Sequence, residues 1–173
     1  GDGDPEVEAA GRAPGTTVVV RDLFYNRPPR RESLAAPATE FARISSLLAR
    51  YALARPDVRF RLVHDDSTVF TTPGTDLRET LLAVYDRDVA GGATTFETAT
   101  RADEFDVAVS GALCSPAVTR ASDAHVRVAV NGRPVSAPDL VDAVERGYGT
   151  LLPGGRHPVA AVAVDVPPAA VDP

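Results

Sequence analysis

Three arginines crowd one turn early in the chain: Arg27, Arg30 and Arg31, in the run Asn26-Arg27-Pro28-Pro29-Arg30-Arg31. A guanidinium is a planar, permanently charged fork that matches the oxygens of phosphate or carboxylate two at a time. Held on a proline-stiffened loop, the three suit a place where the chain meets an anion. Asp22 and Glu32 lie close by in sequence, so the same loop also reads as a solvated cluster of intrachain ion pairs. Arg133 stands apart, directly after Asn131-Gly132. That dipeptide permits the positive dihedrals of a tight turn, which presents Arg133 at the end of a strand. The other reactive side chains form no constellation. His64, His125 and His157 lack metal-ligand spacing. Cys114 lacks the electropositive neighbours of a reactive thiol. The carboxylates form no recognisable acid/base pair, and Gly91-Gly92 and Gly154-Gly155 read as loop glycines.

These residues need elements to position them. Gly15 is followed by Thr16, Thr17, Val18, Val19 and Val20, β-branched residues that favour a pleated, half-buried surface. A strand is expected from about Thr16 to Tyr25, ended by Asn26, Pro28 and Pro29 because proline donates no ladder hydrogen bond. Phe41, Ile44, Leu47, Leu48 and Tyr51 recur at helical spacing, so a helix is expected over Thr39 to Arg55. Thr39 can cap it and Pro56 closes it; Arg43 and Arg50 fall on one polar side, read as a solvated face. Val58, Phe60 and Leu62 alternate into a strand, and Asp65-Asp66 turns it back through Thr68 to Thr72. A short helix begins at Thr75 or Asp76 and ends before Gly91, with Leu77, Leu81, Leu82, Val84 and Tyr85 inward. Strands follow at Thr94 to Thr98, Phe105 to Ala112 and Val126 to Val130. A helix from Pro138 to Gly147 and a last strand from Val159 to Val166 complete the series. Several strands with three helices between them argue for an α+β layer, a mixed sheet with helices packed on one face. Gly1 to Pro14 are acidic and without an apolar period, and read as a flexible arm.

The chain has 173 residues, 44% of them hydrophobic and 24% charged, about one domain with an ample core. It begins with glycine and contains no methionine, and is expected to be a piece cut or processed from a longer protein. No apolar run approaches the roughly 20 residues of a membrane span, and a single cysteine suits a reducing cytoplasm. Net charge is -6 and all 18 basic residues are arginine. Acidity without lysine suggests a GC-rich or salt-adapted source. It also confines any DNA affinity to local arginine clusters, since a general basic footprint is missing.

The order Gly15-Thr16-Thr17-Val18, Val20, then Leu23-Phe24-Tyr25-Asn26, Pro28 and Arg30-Arg31 resembles the MutL family of mismatch-repair ATPases, where the ATP-binding domain passes into a second, transducer domain. Val130-Asn131-Gly132-Arg133, Ser115 to Arg120 and Ala143 to Tyr148 extend the resemblance over nearly all of Gly15 to Asp172. It implies a fold like domain 2 of ribosomal protein S5 for residues 15–173, with residues 1–14 the remnant of the preceding ATP-binding domain. It implies that Gly15 and Thr16 close an ATP pocket whose other walls come from that domain, with ATP and Mg in the full-length protein. It places Arg133 beside a DNA groove, with Arg27, Arg30 and Arg31 as further candidates. It implies a homodimer in the full-length protein and a MutS-like mismatch-recognition partner. The family's general base, metal-binding asparagine, glycine-rich lid and γ-phosphate lysine are not found here, so this stretch is expected not to hydrolyse ATP by itself. The transducer of another ATPase of the same superfamily, such as a type II topoisomerase, or a free-standing interaction module are the alternatives.

Overall fold

The computed structural model describes residues 25–27, 34–102 and 104–170. The chain divides into two units, residues 1–37 and 38–173. In the first, Tyr25 and Asn26 form a turn, with Tyr25 77% exposed. The rest of the strand expected from Thr16, and the arm expected over Gly1 to Pro14, lie outside the described residues.

The second unit is built on a five-stranded mixed sheet. Its strands are β3 (Ala93–Ala102), β4 (Phe105–Cys114), β6 (Val126–Val130), β7 (Arg133–Val135) and β9 (Ala160–Asp165), in the spatial order β3-β4-β9-β6-β7. β9 pairs antiparallel with β4 and parallel with β6. Strand side chains alternate faces, and here the alternation sorts small residues from branched ones. Ala112 of β4 lies opposite Ala161 of β9 on one face, while Val109 lies opposite Val164 on the other. Two small two-stranded ladders stand beside the sheet: the hairpin of β1 (Arg61–His64) with β2 (Ser67–Thr71), and the long-range antiparallel pair of β5 (Thr119–Arg120) with β8 (His157–Pro158). The first turns through Asp65 and Asp66, both at positive φ (46° and 60°), as a two-residue hairpin loop requires.

Helices α1 (Pro37–Ala54), α2 (Leu77–Val84) and α3 (Arg87–Gly92) serve the alanine face. Leu53, Leu81, Val89 and Ala90 bury there against Ala112, Cys114, Val159 and Ala161. Helix α4 (Pro138–Tyr148) serves the valine face, where Leu140 and Val144 share a groove with Val109, Val162 and Val164. The helix layer expected on one face is therefore α1 to α3, and α4 adds a second.

Three local expectations are corrected. Helix α1 starts at Pro37, two residues before Thr39, consistent with proline's preference for the first helical position. It buries Ala52 and Leu53, and leaves Ile44, Leu47 and Tyr51 at 49%, 50% and 41% exposure. Its more buried side runs through Phe41, Ser45, Leu48, Ala49, Ala52 and Leu53. The helix expected up to Gly91 is two helices, since Asp86 accepts from the Val89 amide at 2.9 Å and starts a new one. Its last residues are Gly91 and Gly92, and Leu82 faces outward.

Candidate nucleic-acid interface

β6 ends at Val130 and the chain reverses through Asn131 (φ 48°) and Gly132 (φ 73°) into β7, which opens with Arg133. Positive φ at both turn residues is the geometry that Asn-Gly favours. The turn is fixed on two sides. The Asn131 amide donates to Val164 O at 3.0 Å, and Asn131 Oδ1 accepts from the Val166 amide at 2.9 Å, tying it to the end of β9. Opposite, Gly132 rests on the stem of Arg55: a Cβ on Gly132 would stand 3.0 Å from Arg55 Cδ. Arg55 is itself held by Asp57, Nε to Oδ1 at 2.9 Å and Nη2 to Oδ2 at 2.7 Å. That fork raises the Arg55 pKa and lowers that of Asp57, chiefly through the side-chain hydrogen bonds. Arg133 projects from this fixed turn and is exposed. A water-facing guanidinium carried on a fixed turn can meet a phosphate oxygen without the backbone having to be ordered first.

The remaining arginine candidates are placed differently. Arg27 is exposed in the first unit. Gly15, Thr16, Arg30 and Arg31 lie outside the described residues. Arg43 pairs with Glu40 at 2.7 Å on the outer side of α1. Arg50, read as solvated, is instead half-buried and donates to Val135 O at 3.2 Å. Sequence reasoning also passed over Arg55 and Arg127. Arg55-Pro56-Asp57 at a helix end is a recognisable ion-pair spacing, and Arg127 stands between the apolar Val126 and Val128 on β6.

No arrangement for bond chemistry accompanies the turn. Among the described residues, no three His, Cys, Asp or Glu side chains come together as metal ligands. His64 stacks on Phe41 at 4.0 Å, His125 tilts against Tyr85 at 5.7 Å, and His157 Nδ1 lies 2.6 Å from Glu145 Oε1. Cys114 is 2% exposed, and burial pushes its thiol up to about 11, far from a nucleophile's range. Its carbonyl accepts from Tyr148 Oη at 2.7 Å, and burial pushes that phenol up to about 12. No helix among the described residues is long and apolar enough to cross a membrane.

The family model for the DNA mismatch repair protein, C-terminal domain, matches residues 81–173. The chain belongs to the MutL family of mismatch-repair proteins. MutL of Pelotomaculum thermopropionicum is 40% identical over 163 residues, covering 94% of this chain and 26% of that protein. MutL of Halobacterium salinarum is 43% identical over 160 residues, covering 92% and 24%. The chain thus spans about a quarter of the length of these MutL relatives. Among solved structures, the N-terminal domain of a DNA repair protein superposes with a TM-score of 0.68 at 17% identity, over 84% of this chain and 48% of that one. The Aquifex aeolicus MutL ATPase domain, complexed with ADP, gives 0.57 at 22%, over 89% and 57%. Both share the α+β fold of this MutL chain, the domain-2-like fold of ribosomal protein S5 expected from its sequence.

Proposed function

We propose that residues 15–173 form the transducer domain of a MutL-type mismatch-repair ATPase, with residues 1–14 the last part of the ATP-binding domain. In this reading the chain carries no catalytic group of its own. It converts ATP binding and dimerisation in the adjoining domain into altered contacts with DNA and with a MutS-like mismatch-recognition protein. ATP and Mg belong to the full-length cytoplasmic protein, with Gly15 and Thr16 closing the nucleotide pocket. Arg133 contacts the DNA backbone, supported where the loop allows by Arg27, Arg30 and Arg31.

The observation that carries the reading is the fixing of the Asn131-Gly132 turn between the end of β9 and the Arg55–Asp57 fork. So constrained a turn moves only when those elements move, which is what a relay needs. The test is anisotropy of a short labelled duplex at low salt. The chain should bind weakly, and Arg133→Ala should weaken it further and reduce the slope of log affinity against log salt by about 1. An unchanged isotherm removes Arg133 from the interface. A salt-adapted source is part of the same proposal, resting on the charge of -6 and the absence of lysine. Melting that is indifferent to molar KCl would count against it.

A further inference from the structure

We propose that Arg50 and Arg127 form a seat for a phosphate group, in the cavity between α1, β6 and the start of α4. The cavity holds about 240 Å³. Arg50 and Arg127 both line it, together with Ser136 and Pro138 ahead of and within the first turn of α4. Asp123 and Asp142 line it as well, but neither makes an ion pair with Arg50 or Arg127. Ala137, the residue capping α4, offers no side-chain hydrogen bond to the helix start.

The central fact is the state of Arg127. It is half-buried, forms no ion pair, and its Nε is buried without a hydrogen-bond partner. A charge taken out of water is retained at a cost unless something pairs with it. The groups around it supply no counter-charge. Tyr85, which interacts with it, carries a phenol that burial keeps neutral. His125 next to it has a buried, unbonded Nδ1, and its protonation is disfavoured by burial and then by Arg127 and Arg120. Arg50 spends one N–H on Val135 O and has no carboxylate either. In a protein of net charge -6, two guanidinium groups without an ion pair share this cavity with Asp123 and Asp142, which pair with neither of them. Two guanidinium-bearing side chains on one cavity suit a tetrahedral oxyanion, and a phosphate oxygen is the group such forks match best. The run Pro134 to Pro138 carries no base; the fold brings two in from α1 and β6 beneath it.

A backbone phosphate of duplex DNA and free phosphate share this chemistry. The experiment uses the whole chain: thermal melts with inorganic phosphate titrated against chloride at constant ionic strength, and anisotropy of a labelled 12-base-pair duplex. Phosphate should raise the melting temperature saturably, by several degrees. Arg127→Gln should abolish that rise, and in phosphate-free buffer it should melt no lower than the parent, because it removes an unneutralised charge. Arg50→Gln, which gives up only the bond to Val135 O, should at least halve the rise and serves alone if the first variant does not fold. A tenfold loss of duplex affinity in either variant identifies the DNA backbone as the source. Unchanged duplex binding with the phosphate response gone identifies free phosphate. An equal phosphate response in parent and variants overturns the seat, as does a lower melting temperature of Arg127→Gln without phosphate. The seat stands apart from the role given to Arg133: loss of duplex binding in Arg133→Ala with the phosphate response intact separates the two.

Discussion

Gly111→Ala should be the most damaging single-methyl change in this sheet. Gly111 pairs with Val162 in the middle of the β4–β9 ladder. A Cβ there would lie 2.1 Å from Ala161 O and 3.0 Å from both Ala161 C and Val162 Cα. Ordinary contact begins at 3.4 Å, so β9 has to retreat by more than 1 Å, and the obstacle is backbone rather than a flexible side chain. Crowding of this kind costs about 1–3 kcal/mol. The two ladder bonds stretched beside it add about 1 kcal/mol each. The total, roughly 3–5 kcal/mol, is a large part of the 5–15 kcal/mol that holds a typical domain folded. With a urea dependence of about 2 kcal/mol per molar, the midpoint should fall by roughly 2 M. Urea titration followed by far-ultraviolet circular dichroism measures it. Gly147→Ala is the control: it lies in α4 with nothing within 4 Å of the added carbon, and should be neutral or gain up to about 1 kcal/mol. A loss below 1 kcal/mol for Gly111→Ala would refute the claim that close strand approach reserves this position for glycine.

Thr72→Val keeps the shape of a residue that is fully buried but removes its hydroxyl, which accepts from the Phe60 amide at 2.9 Å and reaches Val58 O at 3.4 Å. Two part-buried hydrogen bonds to the backbone are lost, and equilibrium unfolding should show a loss of about 1–2 kcal/mol. His125 has a folded pKa below the ordinary 6.5, through burial first and then Arg127 and Arg120. The unfolded chain therefore binds more protons on the acid side, so this contribution is complete above pH 6.5 and is lost as pH falls below it. Melting from pH 8 to 5 should show that decline, reduced in His125→Gln. Cys114, with its thiol raised to about 11, should react with a thiol reagent only as fast as the native chain opens. Labelling at the free-thiol rate would contradict its burial.

The fold was most legible where local chemistry acts alone. Asn131-Gly132 fixes its turn by backbone preference, and β6 begins and ends where the Val126–Val130 alternation does. Asp76 starts α2 through its own side chain, which accepts from the Glu79 amide at 2.9 Å. What failed was set by neighbours distant in sequence. Apolar spacing in α1 points to Phe41, Ile44, Leu47, Leu48 and Tyr51, but the sheet takes up the side that carries Leu48, Ala52 and Leu53 and leaves Ile44, Leu47 and Tyr51 exposed. Arg50 reads as a surface residue until β7 places the Val135 carbonyl against it, 85 positions away. The place of Arg133 at the start of β7 could be read from its turn alone, whereas Arg50 and Arg127 line one cavity only after separate elements have met.

The position of β9 has a consequence for how the protein is made. The strand at the centre of the five-stranded sheet is the last of that sheet's five strands in chain order. Until residues 160–165 leave the ribosome, β3–β4 and β6–β7 remain two hairpins with nothing between them, each with an open inner edge. Such edges are where nascent chains aggregate, and pairings this distant in sequence close slowly. Survival of the newborn sheet therefore depends on how soon its central strand arrives, a timing constraint that no measurement on the finished molecule would reveal.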